Sequence, residues 1–140
     1  MANERVPIDD DEILYRRIPV SKEWFVDGVL YGESFGPRHD ESSGISVYRK
    51  RFKSLTEVAR GQSKQGYYVV SLRVSDLRQH GITVEPRPEV DGGWDDAHAE
   101  LPGLNSGNRR SDSAEELQAK LATLGILLPV EGPFVTTANP

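Results

Sequence analysis

The sequence predicts an α+β domain, a small mixed and mainly antiparallel sheet with two or three short helices. Three observations lead there. Residues 45–51 alternate with the period of two that a half-buried strand requires, and residues 67–74 set a continuous apolar face against a mixed one. Two Ser-x-x-Glu spacings, Ser54 to Glu57 and Ser113 to Glu116, stand before short apolar stripes that end at Gly61 and Gly125, as helices with capped ends do. The connections between these segments are short and irregular, unlike the regular helical crossovers of a doubly wound sheet.

Residues 1–11 are acidic, contain Pro7 and show no apolar period, which predicts a disordered or loosely docked leader. A single domain is expected over 12–130, with a flexible tail over 131–140. Residues 13–18 form the first strand, stopped by Pro19, and Ser21 caps one helical turn reaching Phe25. A short extended piece at 28–31 precedes a polar loop at 32–44, in which Phe35 is the only large apolar residue. That Phe either pins the loop to the core or meets a ligand.

The strand at 45–51 sets Ile45, Val47 and Arg49 against Ser46, Tyr48 and Lys50, and the helix opened by Ser54 follows it. The strand at 67–74 sets Tyr68, Val70, Leu72 and Val74 on one face. Ser75 is expected to cap a short helix at 76–80, with Gly81 behind it. A strand at 82–85, a Gly-rich acidic loop at 89–96 and a brief strand at 98–101 come next. The helix opened by Ser113 presents Ala114, Leu117, Leu121 and Leu124 on one side, and residues 126–130 form a last edge strand.

Composition narrows the function classes. The formal net charge is −5, which argues against a general nucleic-acid binder, although Arg49, Lys50, Arg51 and Lys53 form a local basic cluster. No apolar run has the roughly 18 residues of a membrane span, and the acidic beginning is unlike a secretory signal. There is no cysteine, which removes disulfide and thiolate chemistry and suits a cytoplasmic setting. His39, His80 and His98 stand far apart without helical ligand spacing, so no metal and no cofactor is assigned.

Chemistry centres on adjacent arginines in the first strand, Arg16 and Arg17. Neighbouring strand residues face opposite ways, so one guanidinium points to the apolar side and needs an acceptor there. Asp40 or Glu57 would make it structural, and a bound anion would make it functional; the sequence leaves both open. Arg16 or Arg17, Ser46 and His98 lie on separate strands and form a long-range candidate catalytic set. A binding surface would use Phe35, Tyr48, Arg49, Lys50 and Arg51, with a protein as the partner.

Tyr15-Arg16-Arg17-Ile18-Pro19, Phe35, Gly44-Ile45-Ser46-Val47, residues 67–71, Gly81, residues 84–86 and His98-Ala99-Glu100-Leu101-Pro102-Gly103 together resemble a family of small bacterial proteins without an assigned activity. The resemblance implies a stand-alone cytoplasmic domain, read here as an accessory module of an operon-encoded system. A second resemblance, resting on an early-strand arginine and Ser46-Val47-Tyr48, is to toxin-like ADP-ribosyltransferases. It implies an alternative, an enzyme using NAD or another nucleotide with its anion on Arg16 or Arg17. The Gly-Arg-Trp-Asn type of signature of that group is missing from this chain.

Overall fold

Period-two alternation folds into a six-stranded antiparallel sheet with helices packed on it, the α+β architecture expected from the sequence. The computed structural model describes residues 4–19, 25–26, 29–30, 32–38, 41–61, 66–107 and 111–128. The expected turn at Ser21, His39, Asp40 and the tail from 131 lie outside the described residues. In chain order the elements begin with β1 (Ile13–Pro19), β2 (Phe25–Val26), β3 (Val29–Leu30), a 3-10 turn (Gly32–Phe35) and β4 (Ile45–Arg49). Next come helix α1 (Leu55–Arg60), β5 (Tyr67–Arg73), α2 (Val74–Gln79), β6 (Glu85–Pro86), β7 (Glu89–Val90) and β8 (Gly93–Trp94). The last are β9 (His98–Leu101), α3 (Asp112–Leu124) and β10 (Ile126–Leu128).

The large sheet runs β10-β5-β1-β4-β9-β6, and β2–β3 and β7–β8 form two separate ribbons. β1 sits inside it, registered along its length with β5 and joined to β4 through Leu14↔Arg49 and Tyr15↔Tyr48. Both neighbours are antiparallel to β1 and therefore parallel to each other, so the chain needs a crossover between them, which α1 supplies.

Pleating assigns the two faces. Leu14, Arg16 and Ile18 point to the same side as Ile45, Val47 and Arg49, Val70 and Leu72, and Ala99 and Leu101. Phe35, Leu77, Ala114 and Leu121 cover that side and close the main core. On the opposite side Tyr15 and Val69 pack under Val58 and Ala59 of α1 in a smaller cluster. Beyond α1 this second face is polar: Ser46 and Tyr48 of β4 lie beside Glu100 and His98 of β9.

The ends of the helices follow local chemistry in one case and tertiary contacts in another. Ser54 accepts from Glu57 N at 3.2 Å while Glu57 accepts from Ser54 N at 3.1 Å, the reciprocal cap expected for α1. α3 starts earlier than expected: Ser111, not Ser113, is its cap and accepts from Ala114 N at 3.1 Å. In a run of polar residues the serine that lies three before a free N–H wins, and Ser113 falls inside the first turn.

α2 also starts one residue before Ser75, with no side-chain cap. Its first N–H groups are met by the leader instead, Val74 N by Glu12 O at 3.0 Å and Ser75 N by Asp10 O at 2.9 Å. Residues 4–11 are accordingly docked, and Ile8 is buried in the main core. The strand expected at 82–85 is confined to Glu85–Pro86, because Ile82 and Val84 enter the core rather than a ladder. The acidic loop at 89–96 folds as the β7–β8 hairpin, with Gly92 at φ +83° in its turn.

Candidate functional site

The sheet separates its charged side chains into buried structural pairs and a half-exposed polar face. Arg16 occupies an apolar phase of β1 and is 2% exposed. Its Nη1 donates to Glu41 Oε2 at 2.8 Å and to Ser46 O at 2.9 Å, and its Nη2 donates to Glu41 Oε1 and Gly36 O, each at 3.3 Å. Glu41 accepts further from Arg38 N at 2.8 Å and Ser46 N at 2.7 Å. Burial pushes the Glu41 carboxyl up, but attraction to Arg16 and these hydrogen bonds outweigh it and hold the group below the usual carboxylate range.

Arg49 repeats the arrangement on the same side of the sheet. It is 1% exposed and donates to both Glu12 oxygens, from Nε at 2.8 Å and from Nη2 at 2.7 Å. The remaining donors reach Val6 O at 2.6 Å and Pro7 O at 2.8 Å, which is what ties the leader down. Burial raises the Glu12 carboxyl, and the Arg49 hydrogen bonds followed by Asp9 N and the Arg49 charge lower it further than burial lifts it. Two carboxylates thus neutralise the buried cations, since a buried guanidinium without one would cost several kcal/mol.

The expected carboxylate partners are corrected by this geometry. Glu41 meets Arg16, and Glu57 is committed to the α1 cap instead. Arg49 is a core residue and leaves the expected binding cluster, while Lys50 and Arg51 remain exposed. Phe35 has no exposed surface and acts as the pin that holds its loop to the core, not as a contact residue.

Arg17 points to the opposite side. Its Nε donates to Val58 O at 2.8 Å and its Nη1 to the Tyr48 hydroxyl at 3.0 Å. The guanidinium carbon stands 4.2 Å from the Tyr48 ring centre and 5.3 Å from that of Tyr67. Gly61 makes room for this stack: a Cβ there would lie 2.6 Å from Tyr67 Cε2 and 3.3 Å from Arg17 Cζ. Lys53 Nζ approaches the Tyr48 ring at 5.0 Å while bound to Asp95 Oδ2 at 2.7 Å. Burial raises the Asp95 carboxyl, but the hydrogen bond from Lys53, then that from Ala97 N, bring it below its ordinary value.

His98 stands beside Tyr48 with ring centres 5.7 Å apart. Its Nε2 is 3.0 Å from Ser46 Oγ, and its Nδ1 is 2.6 Å from Arg87 O. A carbonyl can only accept, so Nδ1 carries a hydrogen, and in the neutral ring Nε2 is left as an acceptor facing the serine hydroxyl. On the same face Ser43 Oγ donates to Glu100 at 2.9 Å, and Arg87 Nε lies 3.4 Å from Glu100 Oε1.

Of the candidate catalytic set, Ser46 and His98 are in direct contact, Arg17 joins them through Tyr48, and Arg16 is turned to the other side of the sheet and paired with Glu41. The sequence reading missed Glu41, Glu12, Glu100 and Arg87. The in-phase position of Arg16 between Leu14 and Ile18, and of Arg49 after Ile45 and Val47, was the signal available for the buried pairs. No comparable signal marks Glu100 or Arg87.

Among the described residues no cluster of side chains could hold a metal ion, and no helix is long and apolar enough to cross a membrane. Comparison of the chain with family models, curated proteins and solved structures found no match.

Proposed function

We propose that this protein is a binding module, an accessory to a protein partner, and that its contact surface is the polar face centred on Tyr48. One observation carries the reading. Among the described residues Arg17 is held on that face by neutral acceptors alone, the Tyr48 hydroxyl and the Val58 carbonyl. Lys53 and Arg87 of the same face each have a carboxylate, Asp95 and Glu100. A guanidinium stacked on a tyrosine and short of a counter-charge suits an acidic side chain of the partner, and Tyr and Arg are the residue types that dominate binding energy.

The resemblance of the sequence to small bacterial proteins makes the products of neighbouring genes the first partners to test. Binding is measured for the wild type, Tyr48→Ala, Arg17→Ala and the control Lys120→Ala, which is exposed on α3. Tyr48→Ala is expected to weaken binding about 30-fold, the equivalent of ~2 kcal/mol, with Lys120→Ala unchanged. Binding that survives both face substitutions would overturn the reading.

The NAD- or nucleotide-using alternative narrows to Arg17 as its anion holder, since Glu41 and two carbonyls occupy Arg16. A thermal-shift titration with NAD tests it, and an unchanged midpoint counts against it.

A further inference from the structure

Going beyond binding, we propose that Ser46 is a nucleophile activated by His98, and that the pair transfers the acyl group of an ester. The geometry supplies three of the parts such chemistry needs. The nucleophile and base are within hydrogen-bond distance, Ser46 Oγ to His98 Nε2 at 3.0 Å. The base is oriented from behind, because Arg87 O holds Nδ1 at 2.6 Å and fixes the tautomer whose Nε2 can take a proton. Both side chains are half-exposed on a polar face, so a substrate can reach them.

The rigid sheet sets this arrangement. Ser46 is registered with Glu100 and Tyr48 with His98, so the serine and histidine are diagonal neighbours on adjacent strands, within reach of a long side chain. Ser46 also has its backbone clamped, its N–H by Glu41 and its carbonyl by Arg16, so the buried pair on one face positions the hydroxyl on the other. Arg87, whose carbonyl orients His98, is itself held beside Glu100, the register partner of Ser46, with Nε 3.4 Å from the carboxylate.

In the step itself Ser46 Oγ bonds to the ester carbonyl carbon as its proton passes to His98 Nε2. The bond from that carbon to the alcohol oxygen then breaks, and the leaving alcohol takes the proton from His98. Water, deprotonated by the same nitrogen, attacks the acyl-serine, releases the carboxylic acid and restores Ser46. A backbone carbonyl stabilises the transient imidazolium less than a carboxylate does, so turnover is expected to be slow.

The test uses the full chain and two probes, a fluorophosphonate, which loses fluoride when a serine attacks its phosphorus, and 4-nitrophenyl acetate. The wild type is expected to gain one adduct, mapped by peptide mass to Ser46, and Ser46→Ala to gain none. His98→Gln should label at least ~100-fold more slowly, and Ser113→Ala, on α3, at the wild-type rate. Ester cleavage should follow the same order. Unfolding the wild type in urea should abolish labelling, a control that needs no variant to fold. Absence of an adduct on Ser46, or equal labelling rates in His98→Gln and wild type, would overturn the proposal. Partner binding at Tyr48 is read out separately, so either result can fail alone.

Discussion

Removing Glu41 puts the buried-pair reading at greatest risk. Glu41→Ala deletes the only carboxylate bonded to Arg16 among the described residues and strips acceptors from Arg38 N and Ser46 N. Arg16 cannot escape to water, because its side chain is 2% exposed between Leu14 and Ile18 in the innermost part of the sheet. Breaking a buried pair from one side costs about 3–5 kcal/mol, which sets the expected loss. For a chain of this size ~1 kcal/mol moves the melting temperature by about 2–4 °C, so the shift should be roughly 6–20 °C. Urea titration followed by circular dichroism gives the free energy, and the slope reports whether unfolding stays two-state. Combining Arg16→Met with Glu41→Leu removes both charges together. The double variant should therefore be more stable than the two single changes predict, by about 0.5–3 kcal/mol. A Glu41→Ala protein within ~1 kcal/mol of wild type, or strict additivity, would refute the reasoning.

Three further outcomes follow from the same geometry. Arg17→Ala should cost only about 1 kcal/mol, since its hydrogen bonds go to neutral groups on a half-exposed face, whereas Arg16→Ala should cost more than twice as much in the same urea titration. The carboxyls of Glu12, Glu41 and Asp95 all lie below their ordinary values when folded. Their contribution is therefore present above the unfolded range near ~4 and is lost as pH falls through the lower folded values, so stability should drop on acidification and Glu41→Gln should flatten that drop in urea midpoints measured from neutral to acid pH. Gly125→Ala would place a Cβ 2.6 Å from Val70 Cγ1 and 3.2 Å from Phe35 Cζ, and it should lower stability by about 1–3 kcal/mol by overpacking, measured as a loss in melting temperature.

Where the chain's pattern is local, it was legible in the sequence. Tyr67 to Arg73 reads as a strand because Tyr68, Val70 and Leu72 fill one buried face against a mixed one, and Ser54 with Glu57 caps α1 through bonds spanning only three residues. Ser111 and Ser113 show the limit of that reading, since both lie in one polar run and only the path of the chain into α3 selects between them. The strand at 45–51 already held the answer for Arg49, which follows Ile45 and Val47 in phase. Its neighbours Lys50, Arg51 and Lys53 drew it into a surface cluster instead. The leader was illegible for a related reason: its acidic composition reads as solvated, yet its backbone carbonyls are what Arg49 and the start of α2 require.

The chain alone established the α+β class, the long strands β1, β4 and β5, the α1 cap and the need of one first-strand arginine for an acceptor, all consequences of periodicity and short-range hydrogen bonding. Only the tertiary structure decided that Arg16 meets Glu41 across 25 residues, Arg49 meets Glu12 across 37, and His98 meets Ser46 across 52. Those meetings depend on β1 being inserted between β4 and β5 and on β9 pairing beyond β4. Strand order is set by burial of the whole sheet, and no local repeat in the chain encodes it.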